Sequence, residues 1–589
     1  MNIREIIENK VIVSINNNGN LQNIINHYVF LRDNKLFVGE IVEIKKDELT
    51  INLLGEIINN NFTFGISNKP SINACIELIN TNLVPYIISY PNNFTNLYLG
   101  KSPIYENIPI YINLNTFFNS HFTILGNTGS GKSNALSRII QTLFAPSEYI
   151  PYNANLLIFD TYGEYYSSFL NLEKENKYIS FKSITTNPAS NDELLRIPPH
   201  LLGIDDLAIL LNADTTSQLQ VLEKALELVN IFKRNDSNIN KIKNDIIARA
   251  ILEILLSGRP SFQIRDQIFS ILSFYNTNEL NLETEIVEPG YTRALKNCLL
   301  IDSDGKIKEM ELLTKFFTSY LINREEITLS RANTAYTLED LENAIDFALI
   351  CEGILKSEKI YDTNNLLKVR LHNLIEGGYK KYFDYPDYIS KEDYIRSLIM
   401  KNGKKAQIVN FNINYVDDRF GKNIVKILTK MVFDISKVRE SRGTNPYHII
   451  LEEAHRYVNK DNDVNLLGYN IFERISKEGR KYGVLLGLIT QRPSELSETV
   501  MSQCNNYLVF KISHPKDVEY IKKLIPYMDN DILKRVQTLQ PGNCYAFGPA
   551  FKMPMIIKLD RPNPSPTSNN VDIITTWFVK EKKENQENS

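Results

Sequence analysis

The sequence predicts an α/β protein built around a parallel sheet, and three observations predict it. A glycine-rich octapeptide, Gly126-Asn127-Thr128-Gly129-Ser130-Gly131-Lys132-Ser133, stands between a β-prone apolar run and an amphipathic helical pattern. Apolar runs ending in acids recur, at Leu156-Leu157-Ile158-Phe159-Asp160 and at His448-Ile449-Ile450-Leu451-Glu452-Glu453. From about residue 100 strand patterns alternate with helical ones, the signature of strands joined by crossover helices. At 589 residues the chain exceeds one ordinary core, and about two to four domains are expected.

Taken in order, residues 1–98 read as a small β-barrel. Val11-Ile12-Val13, Tyr28-Val29-Phe30-Leu31, Leu36-Phe37-Val38 and Leu49-Thr50-Ile51-Asn52-Leu53 are short β-type runs. Turn-prone groups, Asn17-Asn18-Gly19-Asn20 and Asp33-Asn34, lie around them. Ligand binding, ring assembly and partner docking are all open roles for such a module. Residues 99–190 form the first part of the α/β core, with the octapeptide and the strand 156–160. Residues 191–400 are a helical-bundle insertion, clearest at Gln218 to Phe232, Ile239 to Leu256, Glu309 to Ile322 and Leu338 to Leu355. Residues 401–561 complete the core with strands at Gln407-Ile408-Val409-Asn410-Phe411, Tyr447 to Leu451, Val484 to Ile489 and Tyr507 to Phe510. Residues 562–589 are a turn-rich arm, Pro562-Asn563-Pro564-Ser565-Pro566-Thr567-Ser568, ending in a charged, frayed segment from Lys580 to Ser589. Trp577-Phe578 in the arm could anchor another surface, although packing on the chain's own core is the expected use.

The octapeptide fits the phosphate-loop pattern G-x-x-x-x-G-K-[ST]. Phe122-Thr123-Ile124-Leu125 precedes it as a buried strand, and Leu136, Ile139, Ile140 and Leu143 follow at helical spacing. Glycines let backbone N–H groups converge on phosphate oxygens at the positive end of the helix. Gly126 to Ser133, with Asn134, would hold ATP; Lys132 would reach the β- and γ-phosphates and the Ser133 hydroxyl would ligate Mg²⁺. A glycine-rich surface turn would carry the letters without the flanking strand and helix.

Hydrolysis also needs carboxylates. At the carboxyl edge of a parallel sheet, Glu452 would support Mg²⁺ and Glu453 would orient the attacking water. Asp is the commoner residue in the first place, and the longer Glu452 would suit a water-mediated metal contact. A helix-opening acid pair, Glu-Glu-Ala-His, is the structural alternative. Gln491, at the end of the next strand, would report on the γ-phosphate. Asp160 and Glu164 place two more acids at a strand end where a turn is the default. Lys516, Lys522 and Lys523 read as a solvated helix face.

The ordered motifs GNTGSGKS, DTYGEY, LEEAHRYV, RISKEGRKYG, ITQRPSEL and SQCNNYLVF, with Leu99 to Tyr105 before them, resemble the HerA family of the FtsK–HerA superfamily. The resemblance spans most of the chain, with the helical insertion matching in kind rather than by motif. It implies a RecA-like P-loop ATPase core with an N-terminal small β-barrel and a helical-bundle insertion. It further implies a homo-hexameric ring that translocates double-stranded DNA and works with an effector, such as a nuclease or a sirtuin-like NAD hydrolase, and it allows a role in bacterial antiviral defence. Repair of DNA ends, and an ATP-gated ring scaffold without substantial translocation, are the alternatives. By the same resemblance Arg480 matches the arginine that reaches a neighbouring subunit's site. The Glu452-Glu453 pair departs from the archaeal repair proteins' pattern, within the same chemistry.

Bulk properties narrow the classes. A formal net charge of -3 excludes a uniformly basic nucleic-acid coat, so DNA binding would need a local basic groove or pore. Five scattered cysteines without C-x-x-C spacing argue against zinc and disulfides and for a reducing cytosol. The absence of an apolar run of about 20 residues argues against a membrane span, which disfavours a conjugation or secretion ATPase. A signal-peptide core is lacking, so a cytoplasmic location is expected.

Overall fold

Alternating apolar residues at the N-terminus fold as one antiparallel sheet. The computed structural model describes residues 2–14, 24–45, 48–105, 108–234, 237–323, 334–351, 358–459, 463–524, 528, 530–567 and 573–578. The predicted turn Asn17–Asn20, the helix pattern beyond Cys351 and the charged end Lys580–Ser589 lie outside these residues. Strands β1 (Asn2–Ile7), β2 (Lys10–Ser14), β3 (Tyr28–Arg32), β4 (Leu36–Ile44), β5 (Glu48–Ile58), β6 (Asn61–Phe64) and β7 (Cys75–Leu78) pair in the order β1-β2-β5-β4-β3-β7, with β6 on β5. Val11, Val13, Leu31, Phe37, Ile41, Leu49, Ile51 and Leu53 point to one face and make a core of their own. β1, ahead of the first β-type run noted in the sequence, contributes Ile3 to that core.

The second sheet carries the strand-helix alternation. Its strands are β8 (Asn96–Lys101), β9 (Pro109–Asn113), β10 (His121–Leu125), β11 (Leu156–Asp160), β12 (Phe181–Thr185) and β13 (Glu193–Leu194), and it resumes after the helical segment. Two small hairpins intervene, β14 (Glu285–Glu288) with β15 (Tyr291–Ala294) and β16 (Met400–Lys401) with β17 (Lys404–Lys405). Then come β18 (Ile408–Asn412), β19 (Tyr447–Leu451), β20 (Val484–Thr490), β21 (Cys504–Val509), β22 (Asn543–Phe547) and β23 (Met555–Leu559). The order is β13-β12-β18-β11-β19-β20-β10-β21-β22-β23-β8-β9, parallel from β13 to β21 and antiparallel beyond. β10, β11, β19 and β20 are buried along their whole length, as central parallel strands covered on both faces must be.

Helices fill the span between β13 and β18, among them Thr216–Phe232, Ser237–Leu255, Met310–Thr318 and Leu338–Cys351. Met310–Thr318 is shorter than the pattern 309–322 suggests. Thr318 and Ser319 turn their hydroxyls onto the carbonyls of Thr314 and Phe316, at 2.7 Å each, and compete with the backbone ladder. Helices Ser261–Phe274, Glu358–Leu374 and Asp418–Val438 were not distinguished in the sequence. The last is buried over much of its circumference, and Ile424, Ile427, Leu428 and Met431 keep the apolar spacing of a helix within it. Among the described residues no helix is long and apolar enough to cross a membrane. Trp577 and Phe578 are 73% and 72% exposed, so they do not pack on the chain's own core. That expectation is corrected.

Candidate functional site

The loop after β10 is held by its neighbours on both sides. The Gly126 N–H donates to the Thr490 carbonyl at 3.3 Å and the Asn127 N–H to the Lys511 carbonyl at 2.8 Å, tying the loop to the ends of β20 and β21. A Cβ on Gly126 would stand 2.6 Å from Cβ of Phe510 and 2.7 Å from the Ser130 hydroxyl, so the position admits only glycine. Gly131, at φ 116°, caps the helix Lys132–Leu143 in a conformation that side chains avoid. The first turn of that helix opens onto a cleft of about 610 Å³. Thr128, Gly129, Gly131, Lys132, Ser133 and Asn134 line one side of it. Gly126, Asn127 and Ser130 shape the loop from behind. The Asn127 side chain turns to Ser513 at 3.2 Å, while the Asn127 backbone carbonyl accepts from the Ser130 hydroxyl at 2.7 Å and from Lys132 Nζ at 3.0 Å.

Opposite stand the acids at the carboxyl edge. β19 delivers Glu452 and Glu453, 4% and 7% exposed, and each has an Oε2 atom with no hydrogen-bond partner. Glu453 is left-handed at φ 47° and starts a three-residue turn, Ala454–Arg456, in place of a helix. That conformation costs energy in a non-glycine residue and marks a position held by its surroundings. Burial pushes Glu452 well above the usual carboxylate range, and the nearby Asp160 and Glu164 charges add to it. Burial also raises Glu453, with Lys132 opposing. Lys132 is held below its ordinary value by burial, with Glu453, Glu452 and Glu164 opposing. The cleft thus sets one half-buried ammonium among several carboxyls, with Glu452 Oε2 left over.

β11 contributes a further acid through an organised turn. Asp160 is fully buried and accepts from the N–H groups of Gly163, Glu164 and Tyr165 at 2.8, 3.0 and 3.0 Å, and from Asn410 Nδ2 at 3.1 Å. It is spent on the turn. Glu164 is the acid presented to the cleft, raised by burial while the Ser133 hydroxyl opposes. No group of three or more His, Cys, Asp or Glu among the described residues is arranged to hold a metal alone. The donor set suits Mg²⁺ all the same, since that ion usually takes one or two carboxylates and completes its shell with waters and substrate phosphates.

Gln491 sits between the two sides. Its Oε1 accepts from the Thr128 hydroxyl, and its backbone N–H faces the Glu453 carboxyl. His455 Nδ1 lies 2.9 Å from the Thr490 hydroxyl and 3.2 Å from Glu453 Oε2, and burial keeps the ring below its ordinary pKa. Ile471–Tyr482 carries Arg480 on its exposed side, where Gly483 in the left-handed region ends the helix. Arg480 is not among the cleft-lining residues. The helix ends where β20 begins, and β20 runs seven residues to Thr490, so Arg480 lies roughly 20 Å from the carboxyl edge. Its charge instead reaches His121 at the start of β10, where burial first and Arg480 last hold the imidazole down to about 4.

Besides Glu164, which the sequence offered only as one of two acids at a strand end, residues that sequence reasoning did not place complete the cleft: Tyr162, Asn414, Ile489, Pro566 and Thr567. Asn414 follows β18 by two residues, and the carboxyl-edge rule applied to that strand would have found it. Nothing local marks Pro566 or Thr567, which reach the site only by tertiary folding. Lys516, Lys522 and Lys523 lie exposed on the helix Pro515–Leu524.

Comparison with known proteins agrees with the motifs. The family described as Helicase HerA, central domain, matches residues 97–432. The probable DNA double-strand break repair helicase HerA of Methanocaldococcus jannaschii is 22% identical over 544 residues, covering 91% of this chain and 90% of its own. The DNA double-strand break repair helicase HerA of Saccharolobus solfataricus is 24% identical over 489 residues, covering 82% and 72%. Of solved structures, VirB4 of Thermoanaerobacter pseudethanolicus aligns with a TM-score of 0.44 at 12% identity, over 80% of this chain and 98% of that one.

Proposed function

The chain belongs to the HerA helicase family and is an ATPase, and from that premise we propose that it couples ATP hydrolysis in this cleft to movement along double-stranded DNA. One observation carries the reading: the phosphate loop faces two buried glutamates, of which Glu452 Oε2 has no hydrogen-bond partner and Glu453 Oε2 has only the His455 ring, 3.2 Å away. Unpaired buried acceptors are costly, and a site that keeps them has a use for them.

In this reading the loop N–H groups and Lys132 bind the phosphates of ATP. Ser133 and Glu452, with Glu164 behind them, would hold Mg²⁺, which when bound offsets charge on the phosphate oxygens. Glu453 orients a water in line with the γ-phosphate and takes its proton as the phosphorus-oxygen bond to ADP breaks. Gln491 links that water's position to Thr128 on the loop, so the strand end senses whether the γ-phosphate is present. Arg480, remote from its own cleft, serves the cleft of the next subunit in a homo-hexameric ring.

The remaining parts are assigned in the same reading. The N-terminal sheet, which lies within residues 1–98, is a small barrel on which an effector docks, such as a nuclease or a sirtuin-like NAD hydrolase, in antiviral defence. Residues 191–400 are a helical insertion in a RecA-like core made of 99–190 and 401–561. Two measurements test the motor. ATP turnover should rise when duplex DNA is added, and the assembled ring should strip a third strand from a triplex only with ATP. Turnover without stripping, under conditions where duplex binds, would favour an ATP-gated scaffold. Duplex affinity should also fall steeply with salt and show little sequence preference.

A further inference from the structure

After β23 the chain crosses the phosphate-loop helix and reaches the cleft at Pro566 and Thr567. Asp560, at the start of the crossing, accepts from the Tyr98 hydroxyl at 2.8 Å and lies 3.7 Å from Arg138. Gln141, about two turns along the helix from Ser133, then grips the strap from both ends of its amide. Its Oε1 accepts from the Asn563 N–H at 2.9 Å and its Nε2 donates to the Pro564 carbonyl at 2.9 Å and to the Ser168 carbonyl at 3.1 Å. The Ser167 hydroxyl donates to the Ser565 carbonyl at 3.2 Å and lies 2.8 Å from the Thr567 hydroxyl. The Thr567 N–H donates to the Glu164 carbonyl at 2.9 Å. The bonds to the strap join residues more than 390 positions apart and leave Pro566 and Thr567 as a wall of the cleft.

The wall differs in chemistry from the rest of the site. Lys132, Ser133 and the loop N–H groups suit phosphate oxygens, and Gln491 and Glu453 mark the end where the γ-phosphate reacts. Pro566 offers an apolar ring without an N–H, and Thr567 offers a methyl group and a hydroxyl. Neither offers charge to a phosphate, and both suit an uncharged ring or sugar. We propose that the strap Asn563–Thr567 is the nucleoside wall of the cleft, packing against the base and ribose of the bound nucleotide. This rests on reading the cleft as an ATP site. It makes recognition of the nucleoside, as distinct from its phosphates, a property of the C-terminal arm. By linkage, a bound nucleoside should also tighten the strap.

The test separates nucleoside from phosphate. The full chain and two variants, Pro566→Gly and Gln141→Met, are titrated with ATP and with inorganic tripolyphosphate in the presence of Mg²⁺. Melting curves show whether each variant is folded. The expected result is a loss of ATP affinity of about 10-fold with tripolyphosphate affinity held within about twofold. In the unaltered chain, amide exchange at Asn563, Ser565 and Thr567 should slow with ADP and not with tripolyphosphate, a readout that needs no variant. Affinities for both ligands falling together, or neither changing while the unaltered chain binds ATP, would overturn the strap's role alone. An unaltered chain that binds neither ligand would overturn the ATP site and the strap together.

Discussion

Replacing Arg480 by Ala tests how the catalytic site is completed. The residue sits beyond the amino end of β20, and β20 spans roughly 20 Å before the cleft begins. An arginine side chain reaches only about a third of that, so Arg480 cannot touch a γ-phosphate held by its own loop. If it acts in catalysis it must act across a subunit boundary. Its guanidinium would then meet charge building on the transferring phosphoryl group, an effect on the order of 10³-fold or more where such arginines operate. Arg480→Ala rings should therefore bind ATP nearly as well as the unaltered protein and hydrolyse it on the order of 10³-fold more slowly. Lys132→Ala subunits should be inactive for a different reason, having lost the charge that cradles the β- and γ-phosphates. Mixing the two under conditions of subunit exchange pairs an intact loop with an intact arginine at some interfaces. Part of the activity should return, read as steady-state phosphate release against the fraction of mixed rings measured by mass. Demonstrably mixed rings with no recovery would refute the trans role. A monomer with full turnover would remove the ring from the mechanism.

Three other outcomes follow from the geometry. Glu453→Gln should keep ATP binding and lose turnover by about 10²-fold or more; because burial raises the Glu453 carboxyl, turnover of the unaltered protein should fall on acidification at a pH above the ordinary carboxylate range, and a pH-rate profile without that limb would contradict it. Glu452 is protonated more readily folded than unfolded, so it favours the fold fully below the ordinary glutamate pKa and loses that contribution as pH rises toward its raised value; Glu452→Gln should accordingly raise the melting temperature of the nucleotide-free protein at neutral pH while impairing turnover, and an unchanged or lower melting temperature would count against the strained acid. Asp160→Ala leaves three backbone N–H groups without their acceptor in a buried turn, and should cost about 3 kcal/mol of stability in denaturant titrations, with under 1 kcal/mol refuting the capping role.

The phosphate loop, the acid pair and the central strands were legible because local rules bear on them directly. Phe122–Leu125 and Val484–Ile489 are continuous apolar runs between turn signals, and a strand covered on both faces has no other way to read. Gly126 to Gly131 had to be a loop because its glycines serve one backbone shape, and Lys132 and Ser133 open the helix that follows. Less was visible where side-chain hydroxyls compete with the backbone, as at Thr318 and Ser319. Between Asp160 and Glu164 the sequence offered two equal acids. Tertiary folding set Asp160 to cap the turn and turned Glu164 into the cleft, because the N–H groups of residues 163–165 converge on the first of them. The strap shows the limit most plainly. Pro562 to Thr567 reads as an extended arm in isolation, and its place beside Ser133 depends on Gln141, Ser167 and Glu164, several hundred residues earlier. Local sequence determines backbone conformation through sterics and periodic burial, but partners so distant are matched only when the sheet has closed, and no short-range pattern encodes that pairing.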